Sequence, residues 1–523
     1  MLEAAGEEQA ISAGEVRFNA LRRRVGLIAA PVGFVAMLAW PLQLELEAHR
    51  LAAITLATVI LWVTEAIPLS AAALLAPTLA VLMSVAPAEV AFAPMAHPLI
   101  FLFLGGFMLA RALSLQGLDR RAALWLLSRR WIAGSPARAL VAIALTGFVF
   151  SMWISNTATA AMLVPVATGL CATIASTAGD EADGAGRDDE DAPSFRRFTE
   201  GVLLALAYSC SLGGMTTPIG TAPNVIAIGM LEDMVGVRVD FFAWMRFALP
   251  TALVSMVVVL GWALWRFRAP VERMRGLTEV VQRQLAALGP VTPGERRVSV
   301  IFGLTVLGWL TPSLLRLVLG EAHPWTRWGQ VGLEEGVVAL LAALALSVLP
   351  SGAARERGGQ TEPIPLLPWG EALRIDWGTL YLLGGGLALG KLMFSTGLAA
   401  ALAEGMLALA GPITQHPFGL LAIATTLMIG LTEFTSNTAT TSMMLPVLIA
   451  IASASGVDPV PVALCVTLAA SYAFMLPVAT PPNAIVYGTQ QLRIDTMLRF
   501  GFVLDIAGVV ILLGLGLILI GAS

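Results

Sequence analysis

The chain is poor in charge, cysteine and histidine. Only 13% of its 523 residues are Asp, Glu, Lys or Arg, well below the roughly 25% of an ordinary soluble domain, and Lys391 is the single lysine. The three cysteines, Cys171, Cys210 and Cys465, have no CxxC spacing, so they predict neither a disulfide framework nor a metal site. The four histidines form no zinc-ligand motif. This composition excludes a soluble domain and points to a membrane protein.

Apolar residues make up 57% of the chain and recur in runs of about 20, the length at which a helix crosses the hydrocarbon of a bilayer. Transmembrane β-barrels show alternation instead of such runs. The sequence therefore predicts an all-α polytopic membrane protein. Candidate spans lie near residues 26–43, 51–66, 68–86, 98–116, 200–230, 242–266, 297–318, 332–350, 377–394, 460–490 and 500–521.

Two further apolar stretches, 138–177 and 417–455, are interrupted midway by polar residues. If each forms a re-entrant hairpin, nearly all the arginines fall in loops on one side of the membrane. Cytoplasmic loops of membrane proteins are enriched in Lys and Arg. We therefore predict a multi-pass protein of the cytoplasmic (inner) cell membrane, with its N-terminus in the cytoplasm and its C-terminus outside.

A polar motif occurs once in each of these two stretches. Residues 151–166 (SMWISNTATAAMLVPV) and 432–447 (TEFTSNTATTSMMLPV) are identical at eight of sixteen positions, at an offset of 281. Polar clusters at matching places in two membrane-buried halves are typical of transporters with an internal repeat.

Two more matches extend the repeat. Residues 104–111 match 384–391 at an offset of 280, and the sequence GTAPNVI at 220–226 matches ATPPNAI at 479–485 at an offset of 259. The shorter offset is explained if the charged stretch 176–198 is a solvent-exposed insertion. Five crossings separate the two Asn motifs, so the repeat units of five spans should be inverted, after an extra first helix.

Both copies of the third match contain helix-breaking residues. Pro481 and Pro482, which precede Asn483, remove two amide donors within one span, and Pro223 removes one in the other half. In hydrocarbon such breaks persist only where other groups satisfy the backbone. Carbonyl and side-chain oxygens suit a sodium ion, whereas helix N-termini suit an anion. Each half therefore offers one composite site, built from a hairpin tip and a broken span.

The paired Ser-Asn-Thr motifs and the paired Thr-Pro-Pro-Asn-like breaks resemble those of the divalent-anion/sodium symporter (DASS) family, which includes INDY-type di- and tricarboxylate transporters. The resemblance covers nearly the whole chain after residue 25. It implies eleven transmembrane helices plus two re-entrant hairpins, working as a homodimer. It also implies a fixed scaffold domain and a transport domain that moves as an elevator.

This resemblance divides the chain into a cytoplasmic N-terminal segment (1–25), a first scaffold part (26–131), a first transport part (132–265), an interfacial arm (266–296), a second scaffold part (297–411) and a second transport part (412–523). The first transport part holds the hairpin 138–177, the broken helix 200–230 and the helix 242–265. The second holds the hairpin 417–455, the broken helix 460–490 and the helix 500–521.

Residue by residue, the resemblance implies one sodium ion at Ser151, Ser155, Asn156 and the carbonyl region of Gly220. A second is implied at Thr432, Thr435, Asn437 and Ala479. The implied contacts of the substrate are Ser155, Asn156, Thr157, Thr221, Ser436, Asn437, Thr438, Thr480 and Pro481. Two positions depart from the family pattern: Ala222 replaces one of two prolines, and Thr435 replaces a small apolar residue. Glu433 has two open interpretations, tuning of cation binding or pairing with an arginine.

We expect sodium-coupled symport of a small divalent anion, a C4-dicarboxylate such as succinate, by a transporter that needs no organic cofactor and binds no nucleic acid. On the same fold, a sodium-independent dicarboxylate exchanger and a sulfate transporter remain alternatives. Two alternatives come from other classes. An intramembrane enzyme is disfavoured because the spans contain no serine nucleophile elbow or zinc motif. A receptor is disfavoured because no sizeable soluble domain is present.

Overall fold

The computed structural model describes residues 13–129, 135–182, 192–269, 277–357, 360–410 and 416–522. The helices up to residue 266 are α1 (Ala13–Ala39), α2 (Leu46–Thr64), α3 (Leu69–Leu82), α4 (Ala88–Phe92), α5 (Pro98–Leu115), α6 (Leu118–Leu127), α7 (Pro136–Ser151), α8 (Asn156–Ala182), α9 (Ala192–Gly214), α10 (Ala222–Met230) and α11 (Phe241–Arg266). Short 3-10 and π turns cover Ala93–Ala96 and Leu231–Val235.

The later helices are α12 (Leu277–Ala287), α13 (Pro293–Leu319), α14 (Pro324–Gly332), α15 (Glu335–Val348), α16 (Trp369–Ala372), α17 (Trp377–Ser395), α18 (Leu398–Ala410), α19 (Pro417–Thr432), α20 (Asn437–Ala454), α21 (Pro459–Ala469), α22 (Pro481–Gly488) and α23 (Ile494–Ala522). Strands β1 (Pro350–Arg357) and β2 (Gln360–Pro365) form one antiparallel pair.

The all-α membrane fold is confirmed. Within the described residues, six helices are long and apolar enough to cross a bilayer, or eight if each of two bent helix pairs counts as one span. The bent pairs are α14 with α15, at 61°, and α17 with α18, at 75°. Broken spans such as α9 with α10 lie outside this count: α10 has only 9 residues, and α9 carries Arg196, Arg197 and Glu200 near its start. The number of eleven spans therefore stays a prediction.

The repeated motifs lie at equivalent places in the helices. Each Ser-Asn-Thr motif lies at the turn of a helix–turn–helix unit, α7–α8 in the first half and α19–α20 in the second. Each proline-bearing motif begins a short helix, α10 or α22, after a break of several residues. Proline suits the first turn of a helix, because its missing N–H would have no partner there.

Four boundaries differ from those expected. Helix α1 begins at Ala13, not near residue 26, since the Ala- and Arg-containing segment before the apolar run favours helix. Helix α8 continues to Ala182 and α9 begins at Ala192, so the charged loop is shorter than the predicted 176–198. Within the predicted arm 266–296, α11 ends at Arg266 and α13 begins at Pro293. The β1–β2 hairpin was not predicted, because its charged strands lack regular alternation.

The two halves pack against each other crosswise. Helix α8 of the first hairpin contacts α22, and α20 of the second hairpin contacts α10. Each hairpin therefore lies against the broken helix of the other repeat. As a result, both hairpin turns and both breaks belong to one region of the protein.

Equivalent glycines let the flanking helices approach closely. A Cβ placed on Gly105 of α5 would lie 2.5 Å from the backbone carbon of Ala339 in α15. A Cβ on Gly385 of α17 would lie 2.3 Å from the backbone oxygen of Ala73 in α3. The repeated glycines therefore serve close helix packing at these two positions.

We expect Gly385→Ala to destabilise the protein by about 1–3 kcal/mol, because the added methyl group must displace backbone and not a flexible side chain. The matched control is Gly261→Ala in α11, where no atom lies within 4 Å of an added Cβ. Melting temperatures of the detergent-purified variants measure both effects. A Gly385→Ala protein as stable as the wild type would contradict the packing argument.

Candidate substrate and cation sites

The first hairpin turn lies against the first helix break. The Ser151 hydroxyl donates to Asn156 Oδ1 at 2.6 Å, and the Thr217 hydroxyl donates to the Met152 carbonyl at 2.5 Å. A Cβ on Gly214 would lie 2.1 Å from Asn156 Oδ1, so the Asn156 side chain touches the end of α9. Hydroxyl, amide and backbone oxygens thus come together, with Ser151 fully buried.

The second hairpin turn repeats this arrangement. The buried Thr432 hydroxyl lies 2.7 Å from Asn437 Oδ1 and 3.0 Å from the Ala470 carbonyl oxygen, at the end of α21. The Thr435 hydroxyl bonds the Leu431 carbonyl and the Thr440 hydroxyl. The additional hydroxyl of Thr435 is therefore held by hydrogen bonds within the second hairpin.

One asparagine holds each helix break. Asn224 Nδ2 donates to the carbonyls of Gly214 at 3.1 Å and Thr217 at 2.7 Å. Asn483 Nδ2 donates to Ala473 at 2.9 Å and Leu476 at 3.0 Å, with the same sequence separations of ten and seven residues. Both side chains are fully buried. They replace the hydrogen bonds that the interrupted helices cannot make.

Glu433 binds the second break through backbone amides. Its two carboxylate oxygens accept from Met475 N at 2.8 Å and Leu476 N at 3.0 Å, and the residue is fully buried. Among the described residues no arginine pairs with it, so the predicted alternative of an arginine partner is wrong. The repeat places Met152 at the equivalent position, so the carboxylate exists in the second half alone.

Both hairpin turns and both breaks line one cavity of about 1690 Å³. All nine residues predicted to contact substrate are on its wall: Ser155, Asn156, Thr157, Thr221, Ser436, Asn437, Thr438, Thr480 and Pro481. Of the residues predicted for the cation sites, Gly220 and Ala479 also line it, whereas Ser151, Thr432 and Thr435 lie behind its surface. The structure therefore brings the predicted residues together, while their roles stay predictions.

Four helices begin at this cavity. Helices α8, α10, α20 and α22 start at Asn156, Ala222, Asn437 and Pro481, and all four of these residues line its wall. The N-cap residues Thr221, Ser436 and Thr480 make no side-chain capping bond. The starts of α10, α20 and α22 therefore have no capping side chain, whereas Ser155 accepts from the Ala158 amide at the start of α8. Helix N-termini with uncapped amides attract anions.

The charged residues on the cavity wall are of both signs: Arg111, Arg120, Arg374, Glu65, Asp119 and Asp376. Arg111 donates to Glu371 at 2.5 Å, and Arg374 lies 2.8 Å from the other oxygen of Glu371. The hydrogen bond from Arg111 lowers the pKa of Glu371 below its ordinary value. Glu371 thus stays ionised near neutral pH and offsets part of the positive charge on this wall.

Several contributors were not among the predicted site residues. The backbone groups of Gly214, Ala470 and Ala473 line the breaks. The side-chain amides of Asn224 and Asn483 bridge the breaks by donating hydrogen bonds to backbone carbonyls. The two asparagines stand in the repeated proline motifs, so the repeat was a signal for them. Nothing in the sequence pointed to the backbone groups, because they depend on which segments meet in space.

Two hairpins and two broken helices around one cavity are typical of a membrane transporter. Residues 19–520 match the model of a family described as the sodium:sulfate symporter transmembrane region. The chain belongs to this family of symporters, and the resemblance to the DASS family is confirmed.

Characterised relatives span nearly the whole chain. The sodium-dependent dicarboxylate transporter SdcS of Staphylococcus saprophyticus is 32% identical over 494 residues, 93% of this chain and 89% of that protein. SdcS of Staphylococcus aureus strain USA300 is 32% identical over 495 residues, 94% of this chain and 89% of that protein. The crystal structure of the Alcanivorax borkumensis YdaH transporter superposes with a TM-score of 0.49 at 15% identity, covering 96% of this chain and 97% of that chain.

We expect Asn483→Asp to destabilise the protein, because the new carboxylate oxygen would face two carbonyls that now accept hydrogen bonds. Loss of bonds to buried groups costs about 1–3 kcal/mol, and more with a charge. Thermal unfolding of the purified protein measures this. Asn224→Asp should behave alike, and Asn19→Asp in α1 is the control that should be neutral. Equal melting temperatures for wild type and Asn483→Asp would count against the bridging role.

Proposed function

We propose that this protein takes up a small dicarboxylate of the succinate class by symport with sodium ions. The observation that carries the proposal is the convergence of four helix N-termini, three of them without a capping side chain, on one cavity. Such a site can hold two carboxylate groups through neutral hydrogen-bond donors, since N–H and hydroxyl groups bind anions at helix starts. The names of the two SdcS relatives support the substrate and the coupling ion.

The cation sites proposed at the two hairpin turns explain the coupling. Asn156 and Asn437 each contact a buried hydroxyl through Oδ1 and also line the substrate cavity. Sodium bound by Oδ1 would orient each amide group and add positive charge beside the anion. Because both ligands share these residues, each favours binding of the other.

The movement that we propose is an elevator within a homodimer. The transport part would comprise 132–265 and 412–523, and the scaffold would comprise 26–131 and 297–411. The arginines Arg120 and Arg374 support an assignment of the cavity to the cytoplasmic side, because basic loops of membrane proteins face the cytoplasm. On this assignment the structure is an inward-facing state of a cell-membrane transporter.

Labelled succinate uptake into proteoliposomes tests the proposal. A sodium gradient directed inward should raise the initial rate at least tenfold over an equimolar potassium gradient. Equal rates in the two conditions would contradict sodium symport. Uptake without sodium that requires succinate inside the vesicles would identify an exchanger, and stronger inhibition by sulfate than by fumarate would identify a sulfate transporter.

Asn156→Ala and Asn437→Ala should each reduce this uptake to background, because each removes a carbonyl oxygen from a cation site and an amide from the cavity. Asn19→Ala in α1 is the matched control and should transport normally. Size-exclusion profiles of the detergent-purified variants establish that they are folded. Wild-type uptake by either variant would contradict the site assignment.

A further inference from the structure

A second carboxylate lies beside Glu433 in the interior of the protein. Asp505 is on α23, is 5% exposed, and has its carboxyl group next to that of Glu433. Neither oxygen of Asp505 has a hydrogen-bond partner in the described part of the chain. Asp505 is eleven residues, or about 16 Å, from the start of α23. A helix needs about 30 Å to cross the hydrocarbon of a bilayer, so Asp505 is near the middle of such a span.

The packing of α23 directs Asp505 at the second helix break. A Cβ on Gly501, one turn before, would lie 2.1 Å from the Phe474 carbonyl oxygen, and one on Gly508, one turn after, would lie 2.3 Å from the Tyr472 ring. Asp505 is on the same helix face between these close approaches. Asp505 faces the second break, where Glu433 accepts a hydrogen bond from Met475 N.

The pair has no neutralising partner. Glu433 accepts two backbone hydrogen bonds, Asp505 accepts none, and no Arg, Lys or His of the described chain forms an ion pair with either. Adjacent carboxylates deep in a membrane protein are costly unless a cation lies between them.

The first half of the chain lacks both carboxylates. Met152 occupies the position of Glu433, and α11 and α23 align through Arg246-Phe247 and Arg499-Phe500 at an offset of 253, which places Ala252 opposite Asp505. The acids therefore occur together in one half and are both absent from the other. A joint function explains this better than two independent structural roles, because the first helix break forms without either carboxylate.

We propose that Glu433 and Asp505 bind an additional sodium ion, separate from the ions at the two hairpin turns. Carboxylate oxygens are hard ligands that suit such a cation. The site adjoins the second hairpin turn, because Thr432 directly precedes Glu433 and contacts Ala470. Two sodium ions balance a dianion, so a third would make each transport cycle carry net positive charge. This consequence rests on the proposed function, whereas the cation site itself does not.

Thermal unfolding of the purified full chain tests the site directly. In choline chloride, Asp505→Asn should melt above the wild type, because it removes one of two adjacent buried carboxyl groups that have no cation between them. In sodium chloride of equal ionic strength, its sodium-induced rise in melting temperature should be smaller than that of the wild type, because only the two sites at the hairpin turns remain to bind sodium. Asp505→Ala, which reproduces the first half, should behave alike. Glu200→Gln changes a buried carboxylate that accepts from Thr496 and should keep the wild-type rise.

A sodium-induced rise in Asp505→Asn and Asp505→Ala equal to that of the wild type would overturn the proposal. A second outcome would also overturn it: variants that differ from the wild type only in how their melting temperature without sodium depends on pH. That result would identify a proton shared by the two carboxyl groups. In proteoliposomes, an inside-negative membrane potential should speed net succinate uptake by the wild type, whose cycle would carry one net positive charge, and should leave uptake by Asp505→Asn, with two sodium ions per dianion, unchanged. Wild-type vesicles without sodium-driven uptake would instead refute the proposed function and leave the melting result to decide the cation site.

Discussion

Buried backbone groups at the two helix breaks are the constraint on which the rest of this structure depends. A helix interrupted inside the membrane leaves carbonyls and amides without partners, at a cost of several kcal/mol for each. Asn224 and Asn483 satisfy the carbonyls, and Glu433 satisfies two amides of the second break. The positive ends of α10 and α22, whose N-cap residues Thr221 and Thr480 make no capping bond, lie at the cavity, where they favour an anion.

The electrostatics of the cavity follow from this arrangement. Its polar groups are chiefly hydroxyls, amides and helix ends, and Arg111 on its wall is paired with Glu371. Neutral donors hold an anion less tightly than a free arginine would, so the anion can leave as well as bind. A transporter needs this balance, because a substrate bound too firmly is not released.

The sequence was sufficient to predict where the helices break, because proline interrupts a helix locally. It also predicted which residues meet, because the Asn motifs stand at matching places in the two halves of the chain. The sequence repeat also contains Gly105 and Gly385, at which an added Cβ would meet the backbone of a neighbouring helix. The sequence could not reveal that the Glu433 carboxylate binds amides forty residues further along the chain, since that contact exists only after packing. The β1–β2 hairpin and the early start of α1 were also missed, because polar, charged segments carry weak periodicity.

The crosswise packing of α8 on α22 and of α20 on α10 has a consequence for biosynthesis. When the ribosome has made only the first repeat, its hairpin lacks the neighbour that covers it, and the α10 region lacks α20. The pocket cannot form before the second repeat has been synthesised. The segments of the first repeat therefore stay in the bilayer or its insertion machinery, without their final contacts, until synthesis has passed residue 488, the end of α22. Completion of the final helices and maturation of the pocket are therefore a single event.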